Sequence, residues 1–203
     1  MKLEEIKVFT DKISHGFISY YEKYFSPFQY CDLNLLEIGV YNGESLKLWE
    51  QYFPHAKILG LDIQDLEMHF TKERVTIKQV DQTKRGDLEK VLGDTIFDIA
   101  IDDGCHTQKA QQIFMATVFP RMSKGGIMVI EDLAWLGEGW GRLGKDNYED
   151  ETIVVLTALK NGVDFKSPYL TKKDISYLKD NIMDIEIFMV NNVTNIIAFI
   201  RKI

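Results

Sequence analysis

Short apolar runs alternate with helix-like stretches along most of this chain, and most of the runs close on an acidic residue. Leu33–Ile38, Lys57–Asp62, Val75–Val80, Phe97–Ile101 and Ile127–Glu131 read as strands, because compact aliphatic runs bounded by turn signals mark buried parallel strands. Between them Glu44–Tyr52, Asp87–Leu92 and Lys109–Met122 carry helical spacing. This β-α alternation predicts an α/β fold: a doubly wound, mostly parallel sheet of the Rossmann-like kind. Ligands of such sheets bind outside the carboxyl ends of the strands. The acids therefore fall where a ligand would lie.

The C-terminal third reads differently. Glu151–Lys160 is expected to be helical with Asn161-Gly162 as its C-cap, and Thr171–Asp174 resembles a capping box opening another helix. Two strand-like runs, Ile185–Val190 and Ile196–Ile200, are joined by a connector too short for a parallel crossover. They predict a hairpin, so that an antiparallel C-terminal strand ends an otherwise parallel seven-stranded sheet. At the other end, Ile6, Phe9, Ile13, Phe17, Tyr20, Tyr21 and Tyr24 recur at helical spacing until Ser26-Pro27. Residues 1–30 are thus read as an N-terminal helical segment and 31–203 as one globular domain.

Composition excludes several classes. The net charge of −7 over 203 residues, with no run of Lys and Arg, argues against a nucleic-acid partner. Two cysteines, Cys31 and Cys105, form neither a disulfide framework nor a zinc pattern, which favours a reducing compartment. Met1–Ile6 is too acidic and interrupted for a signal peptide, and no apolar stretch approaches the ~20 residues of a membrane span. The expectation is a cytoplasmic protein with a small-molecule substrate; a homo-oligomer stays open.

Two acidic pairs dominate the strand ends: Asp102-Asp103, followed by His106, and Glu131-Asp132. Like charges about 4 Å apart repel by roughly 4 kcal/mol at an effective dielectric near 20. Protons, hydrogen bonds or a cation must relieve that cost, and a divalent metal is the simplest relief. Hard oxygen ligands favour Mg²⁺ or Ca²⁺ over softer ions.

The first strand leads into Glu37-Ile38-Gly39-Val40-Tyr41-Asn42-Gly43-Glu44-Ser45. Glycine lets the backbone turn tightly and approach a ligand. As a dinucleotide fingerprint the loop fails, since Tyr41 and Glu44 hold the second and third glycine positions. Glu37 instead suits a cationic or hydroxyl-bearing ligand. Asp62 can accept ribose hydroxyls at the end of the second strand, and Asp81-Gln82 after the third can meet an adenine edge. S-adenosylmethionine has an ammonium, a ribose and an adenine but no phosphate, and fits this set.

These stretches resemble the class I S-adenosylmethionine-dependent methyltransferases, and more narrowly the macrocin and mycinamicin sugar O-methyltransferase family. The matching residues are Leu36–Val40, Gly43–Trp49, Val80–Thr83, Ile101–His106, and Gly125-Gly126 through Glu131-Asp132; Thr10-Asp11-Lys12 with His15 also matches a segment upstream of the sheet. The resemblance implies that Asp103, Glu131 and Asp132 bind Mg²⁺ and that His106 is the general base, with Asp103 beside it in catalysis. An imidazole with an ordinary pKa near 6.5 can accept a proton from a metal-bound hydroxyl. Glu37, Gly39, Tyr41, Asn42, Gly43, Ser45, Asp62, Asp81, Gln82 and Asp102 are expected to bind the cofactor, Asp102 facing its methionine part.

Other residues attract weaker readings. Cys105 reads as a small buried filler, and His15 as closing over the cofactor or packing on a helix. His55 and His69 are expected at the surface. Residues 134–151, with Trp135 and Trp140, suit a lid or sugar-stacking platform as well as a loop pinned by its tryptophans. The leading expectation is a Mg²⁺-dependent O-methyltransferase acting on a hydroxyl of a sugar or glycosylated small molecule. A catechol-like diol or amino-sugar nitrogen is the alternative acceptor. An iron-dependent hydroxylase and a noncatalytic cofactor-binding subunit are the competing classes. Iron oxygenases use two histidines and a carboxylate, whereas His106 is the one histidine in the rim motif.

Overall fold

The computed structural model describes residues 1–66, 72–133, 151–190 and 195–203. The expectations for His69, for the 191–194 connector and for the tryptophan-bearing loop up to residue 150 lie outside these residues. Seven strands form one sheet: β1 (Asn34–Ile38), β2 (Lys57–Asp62), β3 (Val75–Gln79), β4 (Phe97–Asp102), β5 (Met122–Ile130), β6 (Ile182–Val190) and β7 (Asn195–Lys202). Their order is β3-β2-β1-β4-β5-β7-β6. The pairs among β1 to β5 are parallel, and β7 is antiparallel to both β5 and β6. The last strand therefore does not end the sheet. It inserts between β5 and β6, because pairing on both edges satisfies its whole backbone.

Alternation along each strand divides the core. Leu35, Ile99, Ile101, Ile127 and Val129 face one side, with Phe17, Tyr21, Phe25, Trp49 and Phe53 packed over them. Leu36, Ile38, Ala100, Met128 and Ile130 face the other, under Leu88, Phe114, Val118, Val155 and Leu178. Each fully buried aliphatic or aromatic side chain contributes about 1.5–3 kcal/mol of transfer free energy.

Helices α1 (Asp11–Ser14), α2 (Ile18–Phe25) and α3 (Glu44–Tyr52) precede α4 (Arg85–Leu92), α5 (Gln108–Val118), α6 (Thr152–Asn161) and α7 (Lys172–Asn181). The N-terminal segment is not one helix. Gly16, at φ +79°, breaks it, and the Phe9 amide leaves it to donate to Glu44 at 3.0 Å. Asn161-Gly162 does end α6, with Gly162 left-handed at φ 65°. Thr171 and Asp174 form the capping box of α7, and Arg85 reaches across to grip Asp174 with bonds of 2.8 and 2.9 Å.

The expected helix Lys109–Met122 stops four residues short, and β5 starts five residues earlier than expected, at Met122. Pro120 explains the stop, since it brings no N–H to a helical ladder. Lys202, buried at the end of β7, donates to the stranded carbonyls of Phe119, Pro120 and Met122 at 3.2, 3.1 and 2.8 Å. Met122 then pairs with Phe97 and carries β5 through the Gly125-Gly126 irregularity. Among the described residues no helix is long and apolar enough to cross a membrane.

Candidate active site

Register places the strand tips side by side. Ile38 of β1 lies opposite Leu61 of β2 and Asp102 of β4, and Asp102 lies opposite Ile130 of β5. Gly39 follows at φ +97°; a Cβ there would sit 1.9 Å from the Asp103 carbonyl oxygen. Its amide donates to Leu61 at 2.8 Å, while the Asp103 amide donates to Ile38 at 2.9 Å. The glycine loop is thereby pressed against the β4 rim. Only a residue without a side chain can hold that position.

Within the loop most polar groups are engaged. The Asp62 carboxylate accepts from the Val40, Tyr41 and Gln64 amides at 2.9, 3.0 and 2.9 Å. A carboxylate has about four lone-pair sites, which leaves room for one further donor. Asn42 accepts from the Glu44 amide at the start of α3 at 3.2 Å, and left-handed Gly43 is the N-cap of that helix. Tyr41, also left-handed at φ 49°, projects its ring outward. Buried Glu37 accepts from Ser45 Oγ at 2.8 Å and Trp49 Nε1 at 3.2 Å. Ser45 thus orients Glu37, and burial pushes the Glu37 carboxyl above its usual range.

Gln82 ties the β3 end to the β4 end. Its Nε2 donates to Asp102 at 2.7 Å, and its Oε1 accepts from the Cys105 amide at 3.3 Å. A Cβ at Gly104 would lie 2.0 Å from Gln82 Oε1, so a side chain there would have to displace Gln82. Asp81 turns to its own loop and accepts from the Thr83 amide and hydroxyl. Asp102 is buried; desolvation raises its pKa to about 6 despite the hydrogen bonds from Gln82 and Gly104. Its Oδ2 has no hydrogen-bond partner among the described residues.

Asp103, His106 and Asp132 each bring one ligand atom within 4.8 Å of the others. His106 Nε2 lies 3.8 Å from Asp132 Oδ2. His106 and Asp132 have φ of +55° and +50°, a conformation non-glycine residues adopt at a cost of about 1–3 kcal/mol each. Both are thus held against local preference in order to converge. Asp132 Oδ1 is buried without a hydrogen-bond partner among the described residues, and burial raises the Asp132 pKa, partly offset by His106 and by His15. A buried carboxylate oxygen with no donor, beside a second carboxylate, fits a hard cation with oxygen ligands.

Glu131 points elsewhere. Its carboxylate accepts from the Tyr21 hydroxyl and meets the Lys12 ammonium at 2.8 Å. Lys12, entirely buried, also pairs with Asp103, and lies 3.3 Å from Glu37 Oε1. From sequence Lys12 carried no role of its own; its place in Thr10-Asp11-Lys12, upstream of the sheet, was the available signal. Two further expectations concern Cys105, beside the rim, and His55, before the start of β2. Cys105, expected as a buried filler, is exposed, with Sγ 3.4 Å from Thr107 Oγ1. Thr107 caps α5 through the Ala110 amide. His55 is exposed, as expected.

A parallel sheet with one inserted antiparallel strand, a glycine loop against an acidic rim, and no phosphate-binding glycine pattern define the class. The chain carries an α/β domain of the methyltransferase fold, and residues 36–133 match the family model described as a methyltransferase domain. More particularly, it is similar to sugar O-methyltransferases of natural-product pathways. It is 30% identical to mycinamicin VI 2''-O-methyltransferase from Micromonospora griseorubida, over 97% of this chain and 51% of that protein. It is 33% identical to 8-demethyl-8-alpha-L-rhamnosyl tetracenomycin-C 2'-O-methyltransferase from Streptomyces olivaceus, over 74% of this chain and 41% of that one. The structure of the MycE methyltransferase from the mycinamycin biosynthetic pathway, in complex with Mg, SAH and mycinamycin VI, superimposes with a TM-score of 0.71. That match has 29% identity and covers 92% of this chain and 49% of the other. The chain thus spans about half, or less, of the length of the curated relatives it matches.

Proposed function

We propose that the chain is an S-adenosylmethionine- and Mg²⁺-dependent O-methyltransferase acting on a hydroxyl of a sugar or glycosylated small molecule. The observation that carries this reading is the convergence of Asp103, Asp132 and His106 beside the Gly39 loop. When bound, the cofactor supplies an electrophilic methyl on sulfur and the metal lowers the pKa of the acceptor hydroxyl. Asp103, Asp132 and Glu131 would hold the ion, Glu131 by exchanging its Lys12 contact. His106 receives the acceptor's proton at a ring nitrogen, kept in place by Asp132. Glu37, Asp62, Gln82 and Asp102 would line the cofactor side, with Asp102 Oδ2, which has no partner among the described residues, left for the methionine portion. Tyr41, whose ring is exposed, would cover the bound cofactor.

A second reading has one observation behind it: His15 as well as His106 acts on Asp132, and two histidines with a carboxylate suit a non-haem iron. One experiment separates the readings. The protein is incubated with S-adenosylmethionine and a panel of deoxysugar glycosides, with Mg²⁺ or after exhaustive chelation, and S-adenosylhomocysteine is measured by chromatography. Product that requires both acceptor and Mg²⁺ is expected. Full turnover after chelation refutes the metal roles, and oxygen consumption with Fe²⁺ in place of methyl transfer favours the hydroxylase. Cofactor binding with no transfer to any acceptor leaves a binding subunit.

A further inference from the structure

Lys12 has an unusual position for a lysine. Its side chain is wholly buried, and its ammonium meets carboxylates from three different strand ends: Glu37 on β1, Asp103 just after β4 and Glu131 just after β5. A buried charge persists only when it is paired and hydrogen-bonded. Asp103, Glu131 and Glu37 supply that pairing from three sides. Two of these partners belong to the set that would hold the ion; Glu37 belongs to the cofactor side. The lysine arrives from α1, fixed by its own helix, by the Phe9 amide on Glu44 and by Tyr21 of α2 on the shared Glu131.

We propose that Lys12 competes with a divalent cation for Asp103 and Glu131, and that Glu37 is the alternative partner that lets the lysine yield. This rests on the metal reading above. A unit positive charge and a divalent ion on the same two carboxylates lie only a few ångströms apart, and their repulsion is twice that between two unit charges at that distance. Glu37 lies 3.3 Å from the ammonium, so a small swing of a flexible four-carbon stem transfers the lysine without exposing its charge. Lys12 would thereby set a moderate rather than a maximal metal affinity. It would also keep Asp103 and Glu131 in place while the ion exchanges. Lys12 is a positioning residue in this scheme, since it acts through the carboxylates.

The test is Mn²⁺ binding by calorimetry, on the whole chain without cofactor or acceptor. Lys12→Met is expected to bind Mn²⁺ at least about tenfold more tightly than the wild type, a change that loss of a merely structural lysine would not produce. Glu37→Gln is expected to bind several-fold more weakly, because the lysine then has no alternative carboxylate to move to, and the double variant to bind as tightly as Lys12→Met. Lys12→Met binding no more tightly than the wild type overturns the proposal while leaving the metal reading intact. If Lys12→Met does not fold, Glu37→Gln decides: unchanged or tighter Mn²⁺ binding overturns the proposal. Absence of Mn²⁺ binding in the wild type and every folded variant overturns both this proposal and the metal reading.

Discussion

Replacing Gly39 by alanine puts the contact between the glycine loop and the β4 rim under direct strain. The added Cβ would lie 1.9 Å from the Asp103 carbonyl oxygen and 2.5 Å from its carbon, where ordinary contact begins at 3.4 Å. Both atoms are backbone, so no side-chain rotation relieves the overlap. The strand tips must part by about 1.5 Å, and that lengthens the 2.9 Å bond from the Asp103 amide to Ile38. Alanine at φ +97° costs about 1–3 kcal/mol by itself, and loss of one buried backbone hydrogen bond adds about 1–3 kcal/mol. A total of about 3–5 kcal/mol is expected. Gly162→Ala is the control, since that residue is left-handed at φ 65° and has nothing within 4 Å of its would-be Cβ; it should cost about 1–2 kcal/mol. Urea unfolding of the three proteins, with S-adenosylhomocysteine affinity measured by calorimetry, reads both effects. Gly39→Ala should be the less stable and should also lose cofactor affinity, because Asp103 and the loop move together. Equal destabilisation at the two glycines, with unchanged affinity, would refute the close-approach reasoning.

Two further outcomes follow from the same geometry. His106→Ala should lower kcat by about 10²–10⁴-fold, the usual worth of a positioned general base, with cofactor affinity unchanged; an unaltered rate removes His106 from the chemistry. Asp174 titrates at about 2 instead of 3.8, because the hydrogen bonds from Arg85 and Thr171 outweigh the upward push of burial. A depressed carboxylate pKa contributes stability that is present above pH 3.8 and lost as pH falls through about 2. Arg85 is partly exposed, so solvent screening reduces that contribution to about 1 kcal/mol. Arg85→Met should therefore lose about that much at neutral pH and show a flatter decline between pH 4 and 2 in urea melts; parallel acid limbs in the two proteins would contradict it.

Local pattern made the strands and their acidic ends legible, because alternation and helical spacing are properties of neighbouring residues. β2 was placed at its full extent, and the Asn161-Gly162 cap and the Thr171–Asp174 box were recognised from the residues that make them. Helical spacing extends past the true end of α5, because the missing N–H of Pro120 outweighs a run of otherwise helical residues. The place of β7 between β5 and β6 is not legible locally either, since sheet order depends on pairing between distant segments.

The sequence by itself therefore determined a mostly parallel α/β sheet, a glycine loop after its first strand and a rim of carboxylates with one histidine among them. Only the tertiary structure decided how those carboxylates divide. Glu131 and Asp132 are adjacent, yet the first turns to Tyr21 and Lys12 and the second, at φ +50°, to His106. Glu131 is 110 residues from Tyr21 in the chain, and Asp103 is 91 from Lys12. Contacts over such separations are set by how α1 and α2 pack across the sheet, a matter on which local periodicity is silent. A buried lysine on an N-terminal helix looks from sequence like any solvated charge; the fold alone brings it among three carboxylates, where its charge can be held.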